Sequence, residues 1–237
     1  SPLARNAFAD NVNISNRYNW DVATRLISDL AKKNSVNDEN IFLGAGSTEI
    51  LDLVAKLVSQ DKGHEPKVTG NANYVIADPS YDYWTVTLDY LGLTKIKVPL
   101  TTDKKINLQA MQEAVNQDTK LVYICNPNNP TGTICEREAL VECVTRISQN
   151  TIVLIDEAYL DFTKQQSLSN MVNDHQNIII SKTFSKIYGL AGARIGYAIA
   201  NKTIIENLAN SQSNTNNSVS VLSKLAAIAS LKDDKYV

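Results

Sequence analysis

The sequence predicts an α/β fold with a mainly parallel mixed sheet covered by helices on both faces. Short apolar runs of strand length alternate with helical-period segments of about ten residues, the pattern of crossover connections between parallel strands. The run at residues 151–155 is almost wholly apolar, as a strand buried on both faces requires. Asn126, Asp156 and Ser181 each follow directly on an apolar run, at the carboxyl ends of strands where such sheets bind ligands.

Asp21 is placed to cap a helix whose apolar residues Val22, Leu26, Ile27 and Leu30 fall at helical spacing, and Ile41-Phe42-Leu43 reads as a short strand. The turn Gly44-Ala45-Gly46-Ser47-Thr48-Glu49 opens a helix with Ile50, Leu51, Leu53, Val54, Leu57 and Val58 on its apolar face. Its first turn offers hydroxyls and free N–H groups to an anion. Residues 74–77 form a predicted strand, 83–90 a helix, and 94–100 an alternating strand closed by Pro99. Asn107 caps a helix through Val115. Strand 120–125, amphipathic helix 136–147 and strand 151–155 follow, then strands at 177–181 and 195–200. Residues 210–220, rich in Asn and Ser, are either a loop or a partner-contacting segment.

With 237 residues, 43% of them hydrophobic, the chain can build a sizeable core, and its net charge of -2 favours no polyanion such as nucleic acid. No apolar run approaches membrane-spanning length. Cys125, Cys135 and Cys143 match neither a disulfide framework nor a zinc pattern and read as buried thiols. His64 and His175, both flanked by polar residues, read as solvated side chains, which leaves histidine-based chemistry little to work with. The chain opens at Ser1-Pro2 and ends within the charged run Lys232-Asp233-Asp234-Lys235, so it reads as a piece of a longer protein. The cytoplasm is the default location, with export left open.

The chemistry concentrates in residues 181–197. Lys186 offers an amine able to form a Schiff base with an aldehyde, glycines let backbone pass close to a flat ring, and Arg194 with Ser185 and Thr183 can bind phosphate. The strings Thr183-Phe184-Ser185-Lys186, Gly189-Leu190-Ala191-Gly192 and Arg194-Ile195-Gly196-Tyr197 resemble the lysine motif of fold-type I aminotransferases dependent on pyridoxal 5'-phosphate (PLP). Their wording is closest to the histidinol-phosphate aminotransferase branch. The resemblance implies the Schiff-base role for Lys186 and phosphate roles for Arg194, Thr183 and Ser185.

Further motifs fit the same family in the same order. Asn126-Pro127-Asn128-Asn129-Pro130-Thr131-Gly132 resembles its Asn-Pro-Thr-Gly turn and would aim Asn129 at the cofactor's ring oxygen; a Pro/Asn/Gly cluster is equally an ordinary turn. Asp156-Glu157-Ala158-Tyr159 resembles its Asp-Glu-Ala-Tyr, implying Asp156 against the pyridine nitrogen and Tyr159 against the ring oxygen. A carboxylate there favours the protonated ring, the electron sink of the chemistry. Gly46-Ser47-Thr48-Glu49 resembles the phosphate cup, with Ser47 and Thr48 as ligands; Glu49 stands where a dinucleotide fingerprint needs a glycine. Asp78-Pro79-Ser80-Tyr81 resembles the loop whose aromatic residue, Tyr81, stacks on the ring, while Tyr83 and Trp84 read as core or substrate-wall residues. Asn16-Arg17-Tyr18 resembles a segment whose tyrosine reaches the cofactor phosphate of the other subunit, so Tyr18 implies a homodimer with shared sites.

By this resemblance the fold is the three-layer α/β/α large domain of a PLP-dependent transferase. Residues 1–36 would be a helical segment contributing to dimer contacts and residues 37–237 the PLP-binding domain, with the small C-terminal domain outside this chain. The implied activity moves an amino group between an amino acid or amino phosphate and a 2-oxo acid, with Lys186, Asp156 and Tyr81 at the reacting centre. The alternatives are another fold-type I PLP enzyme, a threonine-phosphate decarboxylase-like or carbon–sulfur lyase enzyme, or a non-catalytic PLP-binding regulator. Residues 60–73 are longer than the usual connection, and Asn19-Trp20 replaces a common Pro and acid, which leaves the substrate open.

Overall fold

The structure is a computed structural model that describes residues 1–59, 68, 70–212 and 217–237. Among these residues the strands β1 (Ile41–Gly44), β2 (Asn73–Asp78), β3 (Thr94–Pro99), β4 (Thr119–Cys125), β5 (Ile152–Asp156), β6 (Ile178–Thr183) and β7 (Gly196–Ala200) form one sheet. Their spatial order is β1-β7-β6-β5-β4-β2-β3. Neighbours from β3 across to β6 pair parallel, and β7 lies antiparallel between β6 and β1. The mainly parallel mixed sheet expected from the sequence is what the chain forms.

The helices are α1 (Pro2–Asp10), α2 (Trp20–Asn34), α3 (Ser47–Ser59), α4 (Val86–Tyr90), α5 (Leu108–Glu113), α6 (Arg137–Ile147), α7 (Lys202–Ser211) and α8 (Val221–Ser230). Strand side chains alternate between faces, so each strand feeds two cores. Val153 and Ile155 of β5 join Leu26 and Leu30 of α2, Met111 of α5, Leu140 of α6 and Ala226 of α8. Leu154, between them, packs on the opposite face with Leu51 and Val54 of α3, Leu88 of α4 and Leu208 of α7. Helices on both faces make the three layers, and none among the described residues is long and apolar enough to cross a membrane.

Local details differ from the sequence expectation. Asn19, with extended backbone, caps α2 by accepting from the Val22 N–H; Asp21 sits two positions past the cap, in the first turn, where its charge faces the positive helix end. The helix expected at 83–90 is a 3-10 turn at Tyr83–Thr85 continued by α4, because Thr85 Oγ1 bonds back to the Asp82 carbonyl. The helix capped by Asn107 stops at Glu113 rather than Val115. The Asn/Ser-rich stretch is not one loop: its first two residues end α7, and Ser220 caps α8. His64 and the greater part of residues 60–73 lie outside the described residues. His175 is half-buried, and the three cysteines are buried free thiols.

What positions the site is the register at the carboxyl ends of β4, β5 and β6. Cys125 pairs with Asp156, and Asp156 with Ser181, so three strands deliver consecutive polar residues to one edge.

Candidate active site

Beyond that edge lies a cavity of ≈ 250 Å³. Its wall includes ten of the residues singled out by sequence: Ser47, Thr48, Tyr81, Asn129, Asp156, Tyr159, Thr183, Ser185, Lys186 and Arg194. Only Tyr18 stands elsewhere, 73% exposed in a separate cleft with residues 15–17, 19 and 219–222.

One part of the wall is built for an anion. α3 begins at Ser47, so its first free N–H groups and the Ser47 and Thr48 hydroxyls stand together. Gly46 precedes them at φ +83°, and a Cβ there would collide with the Arg194 guanidinium, so glycine admits the arginine to the turn. Gly196 does the same for β7, where a Cβ would stand 2.7 Å from the Ser47 nitrogen. The guanidinium donates to the Ala191 carbonyl at 3.0 Å, the Ala45 carbonyl at 3.4 Å and Ser185 Oγ at 3.5 Å. Thr183 Oγ1 accepts the Ser185 N–H, shaping the loop that carries Lys186.

Another part holds Asp156, 3% exposed. Its Oδ2 accepts from the Tyr123 hydroxyl at 3.0 Å and its Oδ1 from the Ala158 N–H at 3.0 Å, and among the described residues it makes no ion pair. Burial raises its pKa to about 6 against the lowering effect of those hydrogen bonds and of Lys186. Burial also raises the Tyr81 hydroxyl, with Asp156 adding to it, and pushes the Cys125 thiol up to about 12. Lys186 Nζ lies 5.0 Å from the centre of the Tyr159 ring, within reach of a cation–π attraction.

The Asn-Pro turn divides its labour. Asn128, buried, donates to the Pro79 carbonyl and to Thr131, and accepts from Ser80 Oγ, tying the turn to the Tyr81 loop; Asn126 accepts the Cys135 N–H. Asn129 is left facing the cavity. Sequence reasoning missed Tyr123, Cys125, Ala158 and Ala191 in and behind the wall. Period-two spacing in β4 puts Tyr123 and Cys125 on one face, but only the register with β5 shows that this face opens on the site.

A cationic, hydroxyl-rich pocket with an unpaired buried carboxylate and an accessible lysine suits a small anionic molecule that also carries a positive group. The family model for aminotransferase class I and II matches residues 3–237, and the chain belongs to that family. Among curated relatives, a histidinol-phosphate aminotransferase of Moorella thermoacetica is 38% identical over 88% of this chain and 52% of its own length. An aromatic amino acid aminotransferase of Cutibacterium acnes is 34% identical over 91% of this chain and 59% of its own. The chain thus spans a little over half the length of these relatives. A solved histidinol-phosphate aminotransferase from Sinorhizobium meliloti, in complex with pyridoxal 5'-phosphate, superposes with a TM-score of 0.84 at 27% identity over 100% of this chain and 62% of that one.

Proposed function

We propose that this chain forms the PLP-binding part of an aminotransferase that moves an amino group from an amino acid or amino phosphate, histidinol-phosphate-like or aromatic, to a 2-oxo acid. The observation that carries this reading is Asp156: a nearly fully buried carboxylate, aimed into a cavity and lacking a cation, fits a ligand that brings a protonated ring nitrogen. The rest of the wall fits the remaining parts of the same molecule. PLP, when bound, supplies an aldehyde for amines and a protonated ring that takes up the electrons left by a departing α-proton.

Ser47, Thr48, Thr183, Ser185 and Arg194 hold the phosphate, the arginine by charge-assisted bonds and α3 through its N-terminal amides. Lys186 would be the amine that holds the cofactor through its aldehyde, and its Nζ the base that would move the proton at the substrate carbon. Asp156 holds the proton on the ring nitrogen. Tyr81 covers the ring, and Asn129 and Tyr159 donate to its oxygen. Tyr18, which lines a separate cleft and not this cavity, serves the cavity of a second copy in a homodimer, with residues 1–36 contributing to the contact.

The test is the visible absorption of the full-length protein with PLP, before and after glutamate, histidinol phosphate or an aromatic amino acid. A band that one donor bleaches, with the matching 2-oxo product, supports transfer and names the donor class. Release of carbon dioxide or ammonia would move the protein to decarboxylases or lyases, and absence of any band would overturn the role of Lys186.

A further inference from the structure

Directly behind the cavity, on the face of the sheet that carries α2 and α6, lies a charge cluster that the proposed chemistry does not use. Glu157, 2% exposed, and Lys182, 3% exposed, form an ion pair of 3.1 Å, with Asp161 3.6 Å from the same ammonium. Glu157 is fully engaged: Oε1 accepts the Leu168 N–H at 2.9 Å, and Oε2 accepts both Ser167 Oγ at 2.6 Å and Lys182. Each member adjoins a cavity residue along the chain, Glu157 after Asp156, Lys182 before Thr183, and Asp161 two residues past Tyr159.

We propose that the buried Glu157–Lys182 pair, braced by Asp161, is the positioning element of this site, joining the ends of β5 and β6 from behind so that Asp156 and the Lys186 loop keep one fixed spacing. The inference rests on the PLP reading above. A single backbone bond, Glu157 N–H to the Ser181 carbonyl at 2.9 Å, closes the β5–β6 ladder at that level. Past it the two chains diverge, Asp156 leading into the 3-10 turn at Leu160–Phe162 and Thr183 into the lysine loop, and the side-chain pair is what bridges them. A buried pair is an exacting tie, because either charge left alone is costly and the geometry must be kept for both. The pair also acts through charge. Burial opposes the Lys182 ammonium, but Glu157, Tyr197 and Asp161 outweigh it and hold its pKa above the ordinary value, so the cation persists. Glu157 in turn adds to the raising of Asp156. The charged or titratable groups facing Asp156 are Tyr123 and Cys125 from β4, Tyr81 from the loop after β2, Glu157 next to it just past the end of β5 and Lys186 from the loop after β6.

The test compares full-length wild type with Lys182→Met, Lys182→Arg and the double variant Glu157→Gln/Lys182→Met. It uses the unfolding midpoint, carboxyl NMR titration of Asp156 in the PLP-free protein, and PLP affinity with borohydride capture on Lys186. Lys182→Met should weaken PLP by about tenfold or more and move the Asp156 titration up by about half a pH unit, while Lys182→Arg retains both. The double variant carries no lone buried charge; folded, it should return the Asp156 titration toward wild type yet still bind PLP more weakly, because the tie is gone. Wild-type PLP affinity in the folded double variant, or an unmoved Asp156 titration in a folded Lys182→Met, overturns the proposal. The titration needs no cofactor, so a wild type that never captures PLP would sink the reading of Lys186 while the titration still decides this inference.

Discussion

Asp156 and Glu157 are adjacent in sequence and buried to almost the same degree, yet they sit on opposite faces of the sheet in opposite chemical states. Glu157 has a cation, a hydroxyl and an amide; Asp156 has a hydroxyl, an amide and no cation. The lysines four residues apart repeat the contrast, Lys182 locked in a pair and Lys186 exposed on the cavity wall. A charge that the fold satisfies is part of the structure. One buried at a strand end without its counter-ion is held at a cost, and the cavity in front of it says for what.

The lysines give the largest effects and the plainest way to break this contrast. Lys186→Ala should lower transamination by about 10³-fold or more while changing unfolding free energy by less than about 0.5 kcal/mol. Lys182→Met should do the reverse in stability, costing about 3–5 kcal/mol by leaving Glu157 buried and unpaired. Urea unfolding of both variants beside a turnover assay decides it. If the Lys186 variant kept appreciable turnover, or if the two lost stability equally, the two faces would not differ as described.

Asp156→Asn comes next, and its sign is opposite to most core substitutions. Raising the carboxyl from 3.8 to about 6 means that its ionised form costs the fold about 3 kcal/mol at neutral pH. Asparagine keeps an acceptor for the Ala158 N–H and a partner for the Tyr123 hydroxyl without the charge. In the PLP-free protein this variant should therefore be more stable by up to about 3 kcal/mol at pH 8, with the gain disappearing near pH 4, and it should lose transamination. A destabilised variant at pH 8 would mean that Asp156 already has a counter-ion.

How much of this was readable in the sequence follows from the same contrast. Lys186, Arg194, Asp156 and the Ser47-Thr48 turn each lie in a contiguous string whose residue types have a chemical use, and the cavity gathers them. The strands were equally visible, because 151–155 and its neighbours are apolar on both faces. What stayed hidden depends on contacts between strings. The Glu157–Lys182 pair exists only through the β5–β6 register, and Tyr123 looks like one more apolar residue of β4 until β5 is set beside it. Helix α1 falls within the helical segment expected at 1–36, but α7 and α8 are not legible: the apolar residues α8 buries are only Ala226, Ala227 and Ile228, and its Ser220 cap is concealed in the Asn/Ser run. Asp21 reads as the cap from sequence while Asn19 fills that place, because a carboxylate and an amide look alike as caps in sequence and only the backbone angles separate them.

The smallest effect, Tyr123→Phe, sharpens the account of Asp156 most. The Tyr123 hydroxyl donates to Oδ2 and lowers the pKa against the effect of burial, so its removal should carry the Asp156 pKa above its present value of about 6. Between the unfolded value near 3.8 and the folded value, the native chain holds a proton that the unfolded chain has released, so stability from this group is present at low pH and lost as pH rises through the window. Moving the upper edge of the window higher lengthens that loss. Urea unfolding of the PLP-free protein at pH 5 and pH 8 should show the difference between the two pH values wider in Tyr123→Phe than in wild type by about 1 kcal/mol. At pH 5 the carboxyl is largely protonated in the native state and can turn its own O–H elsewhere, so the variant should lose less there. An unchanged or narrower difference would show that the hydroxyl is not what holds the Asp156 carboxylate ionisable near neutral pH, and would shift that role to the Ala158 amide and the charge of Lys186.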